Sequence, residues 1–257
     1  MPPRTRLPAG HAPLSQILFA EGFGSRRDCD GLVLNGLVQV QGEVVDDPDA
    51  AFARDGLVLI VDGQPWIAHE RALVMLHKPA GYECSLKPGA WPGVHNLLPV
   101  PLRRRGLQPV GRLDQDTTGL LLLTDDGPLL HKLTSPKHHV PKVYEVSCKH
   151  PVTPAMCRKL LTGVVLDDDP APVKADAAEV VGDVMADAAG ADGSEAQGLH
   201  LRMTLLQGKY HQVKRMVAAV GNRVEALHRS RIGRLALPDD LPEGHWRWVD
   251  DVSLVLP

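Results

Sequence analysis

The stretch GRLDQDTTGLLLLTDDG (residues 111–127) places four acidic residues around an unbroken run of four leucines. A short run this apolar is typical of a strand buried on both faces. The sequence Asp125-Asp126-Gly127 ends the run with a turn signal, and acidic side chains are favourable at the start of the helix expected next. We therefore predict a buried strand that is preceded by a loop rich in carboxylates.

Two aspartates lie in that loop, and their surroundings differ. Asp116 precedes Thr-Thr-Gly and can hydrogen-bond its own backbone, as loop-forming aspartates do. Asp114 follows Arg-Leu, has no turn partner after it, and comes just before a rigid strand that can hold a carboxylate at the floor of a pocket. Asp114 is therefore our candidate catalytic residue.

A calcium-binding loop is an alternative interpretation of the same acids, because Asp114, Gly119 and Asp125 match part of that pattern. Three features count against it. The twelfth position is Asp rather than Glu, the ninth is Leu122, and the three prolines of residues 99–110 exclude the entering helix. We therefore expect no metal site at these acids.

The charge distribution allows a nucleic-acid partner although the chain of 257 residues carries a net charge of −3. Residues 163–198 hold nine acidic residues and one basic residue, so the rest of the chain carries +5. Basic residues cluster at 103–105, 132–142 and 209–234. Local patches of this kind govern the encounter with phosphate.

The composition indicates a cytoplasmic protein with no membrane partner. The apolar runs are far shorter than the roughly 20 residues of a membrane span, and residues 1–13 lack the apolar centre of a signal peptide. Four widely spaced cysteines favour a reducing compartment and small buried side chains over disulfides.

The alternation of patterns predicts an α+β fold, with a mixed, mainly antiparallel sheet flanked by helices. The strand candidates are residues 73–85, 119–123, 142–148, 199–207 and 251–257, and the helix candidates are residues 129–135, 154–163 and 210–221. Ahead of them, an N-terminal unit reads helix, helix, strand, strand, with Ser25 capping its second helix. We divide the chain into a flexible arm (1–11), this N-terminal domain (12–62), a linker (63–70) and a second domain (71–257) that carries a flexible acidic insertion (182–198).

The N-terminal domain resembles the S4 RNA-binding module through GFGSRRDCDGLVLNGLVQVQGEVV (residues 22–45). Arg26 and Arg27 occupy the first turn of its second helix, where the helix dipole disfavours cations. They fit contact with RNA phosphate, and two solvated arginines are the alternative. The first helix lacks the basic residues usual in such modules, so we expect weaker RNA binding.

The second domain resembles the RsuA-type pseudouridine synthases. Four motifs account for the resemblance: GRLDQDTTGLLLLTDDG (residues 111–127), LHKPAG (76–81), KVYEV (142–146) and GKYHQVKRMVAAVGNRVEALHRSRIG (208–233). In this family the Gly-Arg-Leu-Asp loop of the first motif holds the catalytic aspartate. TSPKHH (134–139) further resembles members that act on small-subunit rRNA. The resemblance implies an enzyme that isomerises a specific uridine of 16S rRNA, of the uridine-516 type, without a cofactor.

The resemblance assigns roles to three residues. It makes Asp114 the catalytic carboxylate, Tyr144 the ring that stacks on the target base, and Lys214 the basic partner of the aspartate. The helical spacing supports one of these roles, that of Lys214. The buried stripe predicted on residues 210–221 leaves Lys214 at its edge and Arg215 on the far side. The alternatives are an ordinary strand tyrosine and two solvated helix cations.

RNA contacts are expected from a wider set of basic side chains, since an extruded uridine has to be held against the cost of unstacking. The set is Arg26, Arg27, Arg112, Lys132, Lys137, Lys142, Lys209, Arg215 and Arg229. We predict a monomer whose partner is 16S rRNA, free or within the assembling small subunit. The same chemistry on 23S rRNA and a non-catalytic assembly factor are the alternatives.

Overall fold

The computed structural model describes residues 7–167, 169–182 and 198–256, which fall into two compact units. The first unit comprises the chain up to Ala72 together with Leu98–Gln108, and the second comprises Leu73–Leu97 and the chain from Pro109. Residues 1–6 of the arm and 183–197 of the acidic insertion lie outside the described residues, so these two predictions rest on the sequence.

The first unit contains two helices followed by a small sheet, in the order that the sequence pattern indicates, and it also contains a short strand before the first helix and a third helix from residues 98–108. Its elements are β1 (His11–Pro13), α1 (Leu14–Glu21), α2 (Arg26–Leu34), β2 (Val38–Val40), β3 (Glu43–Val44), β4 (Ala51–Ala53), β5 (Val58–Val61), β6 (Gln64–Ile67) and α3 (Val100–Arg105). The sheet has the order β3-β2-β5-β6 with antiparallel pairing, and β1 pairs with β4. The last described residues of the arm therefore join a strand, and the segment expected to be a linker contains β6.

The start of α2 is capped as expected. Ser25 accepts a hydrogen bond from the Asp28 amide, and the Asp28 carboxylate accepts one from the Ser25 amide at 2.8 Å. This capping box brings a negative charge to the first turn, which offsets the two arginines there. The Arg26 guanidinium lies 5.0 Å from the centre of the Phe19 ring. RNA binding by Arg26 and Arg27, and the S4-like character of this unit, stay predictions.

A buried ion pair explains why Leu98–Gln108 packs with the first unit. The Arg105 guanidinium donates to the Glu21 carboxylate at 2.7 Å, and the two side chains are 5% and 2% exposed. The same carboxylate accepts hydrogen bonds from the Trp66 indole and the His69 amide, each at 3.0 Å. Arg105 therefore does not belong to a basic surface cluster, because its charge is needed inside the unit.

The helix α3 corrects one argument made from the sequence. The prolines of residues 99–110 do not exclude a helix, because Pro101 lies in the first turn, where a missing amide N–H costs nothing. The helix ends at Gly106, well before the carboxylate-rich loop.

The second unit is centred on a large sheet. The elements not yet given are β7 (Leu73–Lys78), β8 (Gln108–Pro109), β9 (Thr118–Thr124), α4 (Gly127–Thr134), β10 (Lys142–Val152), α5 (Pro154–Thr162), β11 (Val164–Leu166), β12 (Asp169–Val173), β13 (Ala177–Val181), β14 (Gly198–Leu205), α6 (Gln212–Ala219), β15 (Val224–Ile232), β16 (Leu235–Ala236) and β17 (Trp246–Trp248). The strand order β13-β14-β10-β15-β9-β7-β17 is antiparallel except at β15–β9. The predicted α+β class and the mixed, mainly antiparallel sheet are confirmed.

The leucine run forms the strand expected of it. Leu120, Leu121, Leu122 and Leu123 are each 0% exposed on β9, which lies between β7 and β15. Asp126 caps α4 by accepting a hydrogen bond from the Leu129 amide at 3.0 Å, as the turn signal predicts.

Two segments of the sheet differ from the sequence prediction. Residues 251–257 do not form a strand in their described part, because Asp251 accepts a hydrogen bond from the Ser253 amide and starts a 3-10 turn at Val252–Leu254. The edge strand next to β7 is instead β17, in the segment EGHWRW.

The close approach of β9 and β15 at Gly119 yields a prediction. Gly119 has φ +105°, and a Cβ atom there would lie 2.3 Å from the backbone oxygen of Arg229. The variant Gly119→Ala should lower the free energy of unfolding by at least about 2 kcal/mol, since it adds backbone strain and a clash. Urea denaturation measures this loss.

Gly127→Ala is the matched control, because a Cβ atom there meets nothing within 4 Å. Equal stability losses in the two variants would contradict the argument from close approach.

Candidate active site

One buried ammonium group, that of Lys78, holds the backbone of the loop between Asp114 and Thr117. Lys78, at the end of β7, is 0% exposed. Its Nζ atom donates to the carbonyl oxygens of Pro79 at 3.0 Å, Gln115 at 3.1 Å and Thr117 at 2.7 Å. All three protons of the ammonium group therefore have backbone acceptors, two of them in the loop itself.

Burial lowers the pKa of Lys78 from its ordinary value, and nearby groups, among them Asp116 and Asp114, oppose that shift. In the sequence, Lys78 stood out only as part of the motif LHKPAG, and its role in holding the loop was not predicted. The signal was a lysine at the end of an apolar strand, a position where a charge needs partners.

The Asp114 carboxylate is held from two sides. One of its oxygens lies 3.2 Å from Lys214 Nζ, and the other lies 3.2 Å from His211 Nε2. The side chain remains 28% exposed, so a ligand can still reach it. The predicted pairing of Asp114 with Lys214 is therefore present in the structure, whereas His211 was not singled out from the sequence.

Lys214 makes shorter contacts with Asp116 than with Asp114. Lys214 Nζ donates to the two carboxylate oxygens of Asp116 at 2.7 and 2.9 Å. Burial raises the pKa of Asp116, but the hydrogen bond and charge of Lys214 outweigh it, and the pKa lies below its ordinary value. Asp116 is thus an ion-pair partner and not only a loop-forming residue.

The same pairing stabilises the charge of Lys214. Burial lowers the pKa of Lys214, but the hydrogen bonds and charges of Asp116 and Asp114 outweigh burial and raise it above its ordinary value. The cluster therefore keeps a protonated amine beside two carboxylates.

The helix α6 presents Lys214 as its periodicity predicts. Val213, Met216 and Val217 are buried at 5%, 0% and 1% exposure, and Lys214 lies at the edge of this stripe. Before the helix, His211 adopts a left-handed conformation with φ 48°. Arg215, expected to face solvent or phosphate, is half-buried and donates to the carbonyl oxygen of Tyr210 at 3.3 Å.

Asp114, Asp116, His211 and Lys214 line an open cavity of about 750 Å³ in the second unit. Tyr144, which is 8% exposed, forms part of its wall, as does Leu227. The basic lining residues are Arg112, Lys142, Lys209, Lys214 and Arg229, and the acidic ones are Glu83, Asp114 and Asp116. The excess of positive charge favours an anionic ligand of nucleotide size.

Arg229 was predicted from the sequence to bind RNA, but its side chain does not lie on the surface. It is 1% exposed, and its Nε atom donates to the Leu120 carbonyl at 2.8 Å. Among the described residues its buried Nη2 atom has no hydrogen-bond partner. Arg229 lies on β15, in the middle of the sheet, and its side chain is part of the cavity wall.

The remaining candidate RNA-binding residues are dispersed. Arg112 is exposed, Lys209 is half-buried, and both line the cavity. Lys142 also lines it, donates to the Val140 carbonyl at 3.0 Å, and has its pKa lowered to about 8 by burial and by the charge of Arg229. Lys132 and Lys137 lie on α4 and the turn after it, outside the cavity lining.

Comparisons with known proteins agree on one family. The RNA pseudouridylate synthase family profile matches residues 72–219. A ribosomal small subunit pseudouridine synthase A of Pasteurella multocida is 36% identical over 231 residues, which cover 89% of this chain and 92% of that protein. The protein of the same name from Escherichia coli K12 is 37% identical over 236 residues, covering 89% and 93%.

A solved structure shares the fold. A crystal structure described as a pseudouridylate synthase is similar at a TM-score of 0.61 and 31% identity, covering 95% of this chain and 98% of that one. No helix within the described ranges is long and apolar enough to cross a membrane.

The buried ammonium of Lys78 provides a test of how the loop is held. Lys78→Met should lower the free energy of unfolding by at least about 2 kcal/mol, because the Pro79 and Thr117 carbonyls lose their donor. Hydrogen exchange should accelerate at the Thr117 amide, which closes the loop on the Asp114 carbonyl. Lys87→Met, at an exposed position, is the control and should change stability by less than about 0.5 kcal/mol. Unchanged exchange at Thr117 would show that other contacts hold the loop.

Proposed function

Because this chain belongs to the RNA pseudouridylate synthase family, we propose that it converts a uridine of small-subunit ribosomal RNA to pseudouridine with Asp114 as its catalytic carboxylate. The family makes it a pseudouridine-forming isomerase. The observation that carries the assignment of the site is the Asp114 carboxylate, held by Lys214 and His211 at the edge of a positively charged cavity.

The reaction breaks the bond between N1 of uracil and C1′ of ribose, turns the base, and joins C5 of uracil to C1′. The proton on C5 leaves and a proton returns to N1, so the product is an isomer of the substrate and no co-reactant is needed. A carboxylate can act at the sugar or at the base only while it is ionised. The ammonium of Lys214, 3.2 Å from Asp114, provides a positive charge beside that carboxylate.

The cavity supports a uridine that has left its RNA stack. Extrusion costs a few kcal/mol, and groups that hold the base and its phosphates offset that cost. Tyr144, in the cavity wall, offers an aromatic ring to the base, and Arg112, Lys142 and Lys209 offer cations to the phosphates. We propose these roles for the four residues, with Arg229 shaping the wall behind them.

The names of the relatives support small-subunit rRNA as the substrate. We propose uridine 516, which the resemblance to the family implies, as the specific target. An rRNA substrate, free or in the assembling subunit, supports a cytoplasmic location. The same chemistry on 23S rRNA is the second candidate. A non-catalytic assembly factor is disfavoured by the Asp114–Lys214–His211 arrangement, which RNA binding alone does not require.

One complementation experiment tests the reaction, the residue and the substrate together. In a strain that lacks this gene, wild-type protein should restore one pseudouridine in 16S rRNA, and Asp114→Asn should reduce its formation at least about a hundredfold, the lower range for acid–base catalysis. RNA binding should persist, because removal of a negative charge does not weaken contact with phosphate.

Asp126→Asn is the matched control. It makes the same change outside the cavity lining, and asparagine caps a helix as well as aspartate does. Full activity of Asp114→Asn would refute the catalytic role of Asp114. A pseudouridine restored in 23S rRNA would show that 23S rRNA, and not 16S rRNA, is the substrate.

The lowered pKa of Lys142 predicts a pH-dependent contact with RNA. With a pKa of about 8, Lys142 is charged at pH 7 and largely neutral at pH 9, so its attraction for phosphate is lost as the pH rises. The slope of log Kd against log salt should become shallower by about 0.7 from pH 7 to pH 9, the value for one phosphate contact on a single strand. Lys142→Arg should not show this change, because arginine stays charged. Equal slopes for wild type and variant at both pH values would exclude a phosphate contact by Lys142.

A further inference from the structure

Tyr210 is an aromatic residue that its surroundings leave unusually open. The side chain is 76% exposed, the highest value among the exposed large hydrophobic residues in the described part of the chain. The chain has only three tyrosines, and two of them, Tyr144 and Tyr210, line the cavity that contains Asp114. An exposed ring contributes little to folding, so its position at the mouth of the site indicates a role in binding.

The ring is nevertheless held in one orientation. Tyr210 stacks on the imidazole of His211, with ring centres 3.8 Å apart and an angle of 21° between the planes. The His211 Nε2 atom lies 3.2 Å from Asp114, so the imidazole is itself anchored. The carbonyl oxygen of Tyr210 accepts a hydrogen bond from Arg215, and the Lys209 amide donates to the Gln212 side chain at 2.8 Å. One face of the ring is therefore covered by His211, and the opposite face is open.

We propose that the open face of Tyr210 stacks on a nucleobase of the substrate RNA that is adjacent to the target uridine. This inference rests on the proposed function. The order Asp114, His211, Tyr210 places the open face on the side of the tyrosine away from the carboxylate. A base on that face cannot also reach Asp114, so it belongs to a nucleotide other than the one that reacts.

The energetics favour such a base over other partners. Extrusion of the target uridine removes one stacking partner from each of its neighbours, and a fixed aromatic ring replaces that partner. Lys209 and Arg112, which line the same cavity, supply the positive charge that a polynucleotide backbone requires. Stacking on a tyrosine does not depend on base identity, so this subsite adds affinity without choosing the sequence.

The competing explanation is that Tyr210 only supports His211. The two roles differ in what they change. Loss of a base platform weakens RNA binding and raises KM, whereas loss of support for His211 disturbs Asp114 and lowers kcat. Phenylalanine keeps both the ring face and the contact with His211, while leucine covers His211 without offering an aromatic face.

The test uses the full-length protein and an RNA oligonucleotide from the target region with 2-aminopurine on one side or the other of the reacting uridine. Stacking on an aromatic ring quenches this fluorophore. Wild type and Tyr210→Phe should quench it at one of the two positions, and Tyr210→Leu and Tyr210→Ala should not. The two non-aromatic variants should bind between about 5-fold and about 140-fold more weakly, the range for loss of one base–aromatic stack. The kcat of Tyr210→Leu, which still covers His211, should stay close to that of the wild type.

Trp91→Ala is the control, since Trp91 is a 47% exposed aromatic residue outside the cavity lining. Equal quenching by wild type and Tyr210→Ala would overturn the proposal, as would a fall in kcat with unchanged affinity. A loss of affinity in Trp91→Ala as large as in Tyr210→Ala would show that exposed aromatic rings bind RNA here without a defined subsite. Wild-type protein that makes no pseudouridine would instead refute the proposed function, and the fluorescence result would still report the contact.

Discussion

The close approach of β9 and β15 is the constraint on which the site depends. The two strands pair in parallel at His228 with Thr118 and at Arg229 with Gly119. At Gly119 the backbone of Arg229 leaves no room for a side chain. The loop with Asp114 leads directly into β9, and α6 with Lys214 precedes β15. Joining the two strands at this point therefore brings a carboxylate and an ammonium group from separate parts of the chain within 3.2 Å of each other.

Buried cations stabilise this junction in two different ways. The cost of burying Lys78 is offset by three carbonyl acceptors, which in return are held in place, so the charge fixes the backbone of the loop. Among the described residues, Arg229 donates from its Nε atom to one carbonyl, that of Leu120, and its charge helps to lower the pKa of Lys142. One cation thus organises the backbone, while the other sets the electrostatic surroundings of the cavity.

Sequence reasoning succeeded where a local pattern decides the structure. Four leucines predicted β9, and the buried stripe of α6 placed Lys214 correctly, because both depend on periodicity along one element. It failed where the partner is distant. Nothing near Arg229 in the sequence shows that its side chain is buried in the cavity wall, and nothing near His211 shows that a left-handed residue before α6 faces Asp114. The helix α3 was missed because prolines were counted without regard to their position in the first turn.

Asp116 shows why a second carboxylate beside the proposed catalytic one is useful. A group that has to act on a substrate must be oriented, but its oxygens must not be fully occupied. Lys214 gives its two shortest hydrogen bonds to Asp116 and a contact of 3.2 Å to Asp114. Each oxygen of Asp114 then has one described contact, to Lys214 or to His211, and an oxygen of a carboxylate can accept a further bond. Without Asp116, the ammonium of Lys214 would have Asp114 as its only carboxylate partner among the described residues. The ion pair of Lys214 with Asp114 would then become closer, and Asp114 would be less available to the substrate. The second carboxylate therefore keeps Lys214 protonated and in place while Asp114 remains available to the substrate.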